Sequence, residues 1–520
     1  MRRVRDAVIV GGGHNGLTAA AYLARAGLTV VVLERLDEVG GAAVSAQAFP
    51  GIDTRLSRYA YLVSLLPERI VRDLGLEIRL ARRRYASYTP RPGGEGGLLV
   101  DRTDPAASAL GADAAGWRAL AGATGALARA LFPTMTGPLL TRSEARRLVG
   151  DAAAWAALVE EPIGLAIRGA LADDLARGVA LTDALIGTFA PNVDPSLAGN
   201  RCFLYHVIGG GTGDWDVPVG GMGAVSGELR RAALLAGAEL VTGAEVTAVD
   251  PDGEVRYRRG DEELAVAARW VLAGCSRAEL DRLLGEPGPG DADRRTADLA
   301  AGSQVKVNLV LARLPRLRDR SVEPRAAFGG TFHVNETWSQ LDAAYQAADA
   351  GSVPQPLPLE IYCHSLADPT ILSEELRASG AQTMTAFGLH VPHRLAAGRD
   401  PADYRAALEA AALASLDSVL AEPVEELLLT DADGRPAIET RTTVDLERSL
   451  RLPGGSIFHG PLEWPWAEDD EPLGTPAQRW GVATPHERIL VCGSSARRGG
   501  AVSGIGGHNA AMAVLDSLAG

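Results

Sequence analysis

The sequence predicts an α/β fold, and three observations point to it. Residues 7–33 read as strand, glycine turn, helix and strand in that order. Residues 104–188 are rich in Ala, Leu and Arg, with few β-branched side chains, and read as helices. The runs Gln304–Leu311, Glu360–His364 and Met384–His390 are short, apolar or β-branched, and read as strands.

Ala7-Val8-Ile9-Val10 is the kind of apolar run that makes a buried parallel strand. It enters Gly11-Gly12-Gly13-His14-Asn15-Gly16, which reads G-x-G-x-x-G. Leu17–Ala26 reads as helix, Gly27 ends it, and Leu28–Leu33 is a second strand closed by Glu34. The glycines alone are a weak signal; the ordered unit with its terminal acid is a Rossmann-type nucleotide site. Gly11 permits the tight turn, Gly13 lets the backbone approach a pyrophosphate, and Gly16 lets the helix pack close to the sheet. The helix N-terminus, with His14 and Asn15 in the turn, offers unpaired N–H groups and a positive dipole end to phosphates. Glu34 can accept hydrogen bonds from ribose hydroxyls and would repel a 2′-phosphate, which disfavours NADP. Arg35 follows, and then the paired glycine Gly40-Gly41 with Ala42. A glycine pair soon after the ribose acid is characteristic of FAD flavoproteins, because it allows a second backbone approach to the cofactor. FAD, bound without a covalent link, is the expected cofactor.

The stretch from Gly11 through Leu66 resembles the phytoene-desaturase-like FAD oxidoreductases. Residues 215–225, which include Gly221 and Met222, resemble the family's second signature. Gly243-Ala-Glu-Val246 is similar to a strand that flanks the adenine in that family. The run Leu490-Val-Cys-Gly493-Ser494, continuing through Gly499-Gly500-Ala501-Val502-Ser503-Gly504 to Asn509-Ala-Ala-Met512, resembles the third. In the family the last helix aims its N-terminus at the flavin. The resemblance implies a discontinuous Rossmann-type FAD-binding domain at 1–75, 215–280 and 440–520. A substrate domain of mixed β-sheet plus a helical insert would occupy 76–214 and 281–439, with its helical part at 104–188. Two departures point away from carotenoids as substrate and leave FAD untouched. Carotenoid desaturases have Gly-Gly-Arg where this chain has Gly40-Gly41-Ala42, and His-Pro-Gly-Gly where it has Ala496-Arg497-Arg498-Gly499-Gly500.

A chain of 520 residues can hold two or three cored domains. A net charge of −14 argues against a nucleic-acid partner. No apolar run is long enough for a membrane-spanning helix. The N-terminal Met-Arg-Arg-Val-Arg-Asp leads into the first Rossmann strand rather than a secretory signal. Cys202, Cys275, Cys363 and Cys492 form no C-x-x-C, which fits a reducing cytoplasm and predicts no metal site. The Ala106–Ala130 and Ser143–Val159 segments carry apolar residues at helical spacing. They read as a helical subdomain with its own core; the alternative is a lid, or a surface making peripheral membrane contact over a lipophilic tunnel. Residues 285–295 read as a loop.

Three sets of residues are candidates for the chemistry. Of 51 Lys plus Arg, only Lys306 is lysine, against an arginine bias expected of a GC-rich bacterial genome. Its setting, Gly302-Ser-Gln-Val-Lys306-Val, is similar to the strand lysine of monoamine-oxidase-like flavoproteins, which holds a water near flavin N5. A buried ammonium there would stabilise developing negative charge and have a lowered pKa. The alternative is a surface lysine on an edge strand. His459, in Gly455-Ser-Ile-Phe-His459-Gly460, is the second candidate, as an acid or base. His206, His333, His364, His390, His393 and His508 lack such a motif. Arg55, Arg58 and Tyr59 are the third set: the family runs this segment below the flavin, so an arginine could meet cofactor or substrate, or else pair with a carboxylate.

No second G-x-G-x-x-G follows a strand, so electrons are expected to pass to oxygen, a quinone or another diffusible acceptor. The expected activity is FAD-dependent oxidation of carbon–carbon bonds in a small, mainly hydrophobic molecule, such as a polyene or other product of secondary metabolism. Amine oxidation, polyene isomerisation or cyclisation, and flavin binding without turnover are the alternatives. An aromatic pair facing the flavin would favour amines, and a long apolar tunnel polyenes.

Overall fold

The computed structural model describes residues 4–102, 110–287 and 293–520. Its first sheet has a parallel core in the order Ile489–Val491, Glu262–Ala273, Arg5–Val10, Val30–Leu33, Glu239–Val241. Ala7–Val10 and Val30–Leu33 are buried on both faces, which is why these segments are continuously apolar. The long strand Glu262–Ala273 serves two pairings. Its second half lies between Arg5–Val10 and Ile489–Val491, and its first half runs antiparallel to Glu254–Arg259, which pairs in turn with Ala244–Val249. Segments from the start, middle and end of the chain thus share one sheet. The helix His14–Arg25 packs against both Met222–Leu235 and Ile505–Ala519.

The second sheet is mixed, in the order Ile438–Thr442, Ser303–Leu311, Gln382–Pro392, Leu359–Tyr362, Thr331–Val334, Tyr85–Pro90, Gly97–Asp101. Only Thr331–Val334 with Tyr85–Pro90 is a parallel pair. Ser303–Leu311 is flanked on both sides and buried throughout, so Lys306 does not lie on an edge. The strand expected over Glu360–His364 ends at Tyr362, and His364 opens a one-turn helix, His364–Ala367. The hairpin Tyr85–Pro90/Gly97–Asp101 carries no strong signal in the sequence, yet completes the sheet. Ile438–Thr442 runs across the boundary drawn at 440.

The region 104–188 is helical where described, from Ala114–Leu131 to Asp174–Leu181. Residues 103–109, the beginning of that insert, lie outside the described residues, as do 1–3 and 288–292 of the expected loop. The segment 143–159 is two helical pieces. Arg142–Val149 stops because Gly150 turns left-handed at φ 69°, and Asp151 caps the next piece through a bond from the Ala154 amide. Among the described residues these helices have no separate core. Leu127, Leu131 and the fully buried Trp155 belong to the main apolar cluster, with Trp155 4.9 Å from Trp466. At the far side of the expected loop, Arg294–Ala300 is helical, capped by Asp293. No helix among the described residues is long and apolar enough to cross a membrane.

Candidate active site

A cavity of about 600 Å³ begins at the glycine turn and reaches the second sheet. Gly11, Gly13, His14, Asn15 and Gly16 line one end, with Glu34, Arg35, Gly41 and Ala42 beside them. Gly11 takes φ 96°, which the tight turn requires. A Cβ on Gly16 would lie 2.2 Å from the Gly11 carbonyl, so glycine sets the helix–strand distance. A Cβ on Gly13 would meet only the Gly41 Cα, at 3.9 Å, so the turn is open toward the cavity. The helix His14–Arg25 starts without a side-chain cap, leaving first-turn N–H groups for a ligand. Asn15 Nδ2 and Oδ1 are buried there without a partner. Glu34 is pinned from both sides: the Gly12 amide donates to one oxygen at 2.7 Å and the Leu36 amide to the other at 2.8 Å. These features fit a dinucleotide pyrophosphate and ribose.

Val246 lines the cavity as well. Arg35 donates to the Ser449 carbonyl at 2.5 Å. Cys275 and Glu279, which the sequence does not mark, form part of the same wall. Gly40 lies just behind: its amide donates to the Gly12 carbonyl at 2.8 Å, tying the two glycine segments together. Gly221, Met222, Gly493 and Gly500 are outside the lining. They act in packing: the Met222 amide donates to Ser57 Oγ at 3.1 Å, and a Cβ on Gly493 would be 2.5 Å from the Gly274 carbonyl. A Cβ on Gly500 would be 3.1 Å from Leu462. Arg55 is exposed and away from the cavity, its amide bonded to the Ile371 carbonyl. Arg58 and Tyr59 do line it. Arg58 forms an ion pair with Glu439, as a neighbouring carboxylate would dictate.

Ala501 and Val502 form the wall near the C-terminal helix. His14 Nε2 is 3.2 Å from the Ala501 carbonyl oxygen. His459 lines the cavity in a left-handed conformation, φ 64°, with Nδ1 buried and unpartnered. Burial pulls the pKa of His14 and of His459 down to about 4, so both rings are neutral near pH 7.

Lys306 is 4% exposed and faces the cavity. Its Nζ donates to the Ser57 carbonyl at 2.7 Å and the Tyr59 carbonyl at 2.6 Å, and sits 4.6 Å from the Tyr61 ring centroid. Burial holds its pKa well below the usual lysine value, with Glu439 pulling the other way. A neutral amine still has two hydrogens, so both carbonyl bonds survive deprotonation. Around it stand Tyr61 and Tyr362, with centroids 4.7 Å apart at 44°, and Phe387, 6.3 Å from Tyr61. Trp117, Leu120, Ala121, Val179 and Ala180 of the helical insert supply an apolar wall.

Sequence reasoning missed a polar group at this end: Arg83, Thr182, Asp183, His333 and Glu360, all lining the cavity, with Glu336 buried beside them. A single acid inside the apolar run Leu359–Tyr362 was the available signal for Glu360. Arg83 and Thr182 reach the site only through the fold. Cys202, Cys363 and Cys492 are buried and all four thiols are free.

An NAD(P)-binding Rossmann-like domain model matches residues 9–68. An uncharacterised protein of Mycobacterium tuberculosis is 59% identical over 99% of this chain and 97% of its own length. The mouse pyridine nucleotide-disulfide oxidoreductase domain-containing protein 2 is 30% identical over 99% of this chain and 94% of its own. Cyclohexylamine oxidase from Brevibacterium oxydans superposes with a TM-score of 0.54 at 15% identity, covering 100% of both chains, a likeness of fold.

Proposed function

The chain belongs to the family of the pyridine nucleotide-disulfide oxidoreductase domain-containing protein 2, and from that premise we propose that it is an FAD-dependent oxidoreductase of a small, mainly hydrophobic substrate. One observation carries the reading: a single cavity joins the open Gly11–Gly16 turn to the buried Lys306 and its aromatic and apolar surroundings. When bound, FAD supplies a two-electron hydride acceptor. The first-turn amides of the helix His14–Arg25 would hold its pyrophosphate and Glu34 its ribose. The insert wall of Trp117, Leu120 and Val179 excludes water and takes apolar surface. Lys306, anchored by two carbonyls, keeps a third N–H for the cavity when it is protonated, at a fixed point of the wall. Electrons leave to oxygen, a quinone or another diffusible acceptor.

A second reading, amine oxidation, is favoured by the Tyr61–Tyr362 pair beside Lys306. The apolar insert wall favours oxidation of carbon–carbon bonds, and we place that reading first. The experiment is direct. Purified protein should be yellow and release about one FAD per chain on acid treatment, and Gly13→Val should abolish retention because its side chain fills the pyrophosphate space. Flavin bleaching by a panel of lipophilic alkenes and amines then separates the two readings. Normal flavin content in a folded Gly13→Val protein would move the cofactor away from this turn.

A further inference from the structure

Glu336, just past the strand Thr331–Val334, and Glu360, on the strand Leu359–Tyr362, come together at the substrate end of the cavity. Both are 1% exposed. Thr182 Oγ1 lies 2.8 Å from a Glu336 oxygen and 3.0 Å from a Glu360 oxygen. One hydroxyl carries one hydrogen, so it can donate to only one of the two carboxyls. The other contact needs a proton on the carboxyl itself. Tyr362 donates to the second Glu360 oxygen at 2.7 Å, which makes Glu360 the acceptor. Glu336 Oε1 is buried with no partner, as an ionised carboxylate there would not be.

We propose that Glu336, Thr182 and Glu360 form a buried site that holds one proton on Glu336 and presents Glu360, through the Tyr362 hydroxyl, as the base that takes the proton a substrate loses. This rests on the flavin-oxidoreductase reading. When a substrate loses two hydrogens, one leaves with its electron pair to the flavin. The other leaves as a proton, and the pair from its bond becomes the new double bond. That proton passes to the Tyr362 oxygen while Tyr362 gives its own to Glu360. Burial favours this arrangement, and the Glu360 charge adds to it at Glu336: both acids are pushed up, Glu360 to about 7.

Asp183, from the helical insert, adds negative charge and raises both acids. Tyr362 and Thr182 hydrogen-bond Glu360, and Arg83 draws it down. Tyr61 and Cys202 feel the Glu360 charge. His333 lies close enough that it, Glu336 and Glu360 could hold a metal ion, with ligand atoms within 4.8 Å of one another. Arg83 argues against that. The residue is 8% exposed, and its guanidinium donates to Thr331 Oγ1 at 3.1 Å and already places positive charge against Glu360 and His333. A divalent ion would sit beside it.

The test is infrared spectroscopy of the holoprotein as a function of pH, with Glu336→Gln and Glu360→Gln. Glutamine keeps the shape and an N–H for Thr182. A protonated-carboxyl band should persist above neutral pH in the wild type and vanish in Glu336→Gln. A second should appear as pH falls through neutrality and vanish in Glu360→Gln. Absence of a band sensitive to Glu336→Gln overturns the proposal, as does one equivalent of divalent metal that this substitution removes. These spectra do not depend on flavin, so loss of the cofactor reading would show separately as missing flavin absorbance. Glu360→Gln should also slow flavin reduction by the substrate-panel member that reduces the wild type, by roughly 10²–10⁴-fold with flavin content retained. Reduction at the wild-type rate would remove Glu360 as the base.

Discussion

At the scale of single residues, Lys306 is the test case. It is buried, bonded to two carbonyls and set against Tyr61. Replacing it with Met should leave FAD bound but slow the reoxidation of photoreduced flavin by oxygen, by ~10²–10³-fold if its charge stabilises reduced oxygen. It should also cost about 1–3 kcal/mol of stability, because the Ser57 and Tyr59 carbonyls lose their donor. Lys306→Arg should not restore the rate, since guanidinium is bulkier and spreads its charge over a planar fork. Stopped-flow absorbance and a melting curve measure the two effects apart. A wild-type reoxidation rate combined with a lowered melting temperature would make Lys306 a structural strut. The isolated lysine was visible in the sequence; its anchoring was not, because the carbonyls come from a segment some 250 positions away.

At the scale of elements, the cofactor end depends on how closely two helices approach. A Cβ on Gly507 would lie 1.9 Å from the Asn15 carbonyl, so Ile505–Ala519 and His14–Arg25 pack backbone to backbone. Gly507→Ala must separate them, at a cost of about 1–3 kcal/mol. Because Ala501 and Val502 precede one helix and the glycine turn opens the other, the same substitution should weaken retention of the proposed FAD. Thermal denaturation with and without added FAD, and flavin content after gel filtration, test both. A variant with unchanged melting and flavin content would mean that the helices accommodate a methyl group without moving the turn.

At the scale of the whole molecule, pH should act through buried histidines. Burial lowers His14, His459 and His508 to about 4, and His333, His364 and His390 to about 3. In the unfolded chain they titrate near 6.5. Between these values the unfolded chain binds more protons than the folded one, so stability is full above 6.5 and lost as pH falls toward 4 and 3. Glu336 and Glu360 work in the opposite sense: their raised pKa values add stability at low pH that is lost as pH rises from 4.5 through about 7. His206 is lowered as well, and Asp183, Asp216 and Asp281 are raised like the two glutamates, so seven histidines against five acids predict a net fall in melting temperature on acidification below 6.5. Scanning calorimetry across that window checks it, and a rise in melting temperature would show that the carboxyl pair dominates.

The sequence by itself determined what depends on local order. The strand–turn–helix–strand unit, with Gly11, Gly13, Gly16 and Glu34 in their places, is written in consecutive residues, because a phosphate turn is a property of one short segment. The strand carrying Lys306 was legible from its β-branched run, and its central position excluded an edge lysine only once Gln382–Pro392 and Ile438–Thr442 were seen on either side. The tertiary structure alone decided the rest. It left Arg55 exposed and brought Arg58 to the cavity wall, paired to Glu439. It turned an apparent separate helical subdomain into a wall of the cavity. It gathered Arg83, Thr182, His333, Glu336 and Glu360 from distant segments into one polar cluster. Their pattern has no period in the chain, because a site shared between sheet and insert is defined by proximity in space and not by spacing in sequence.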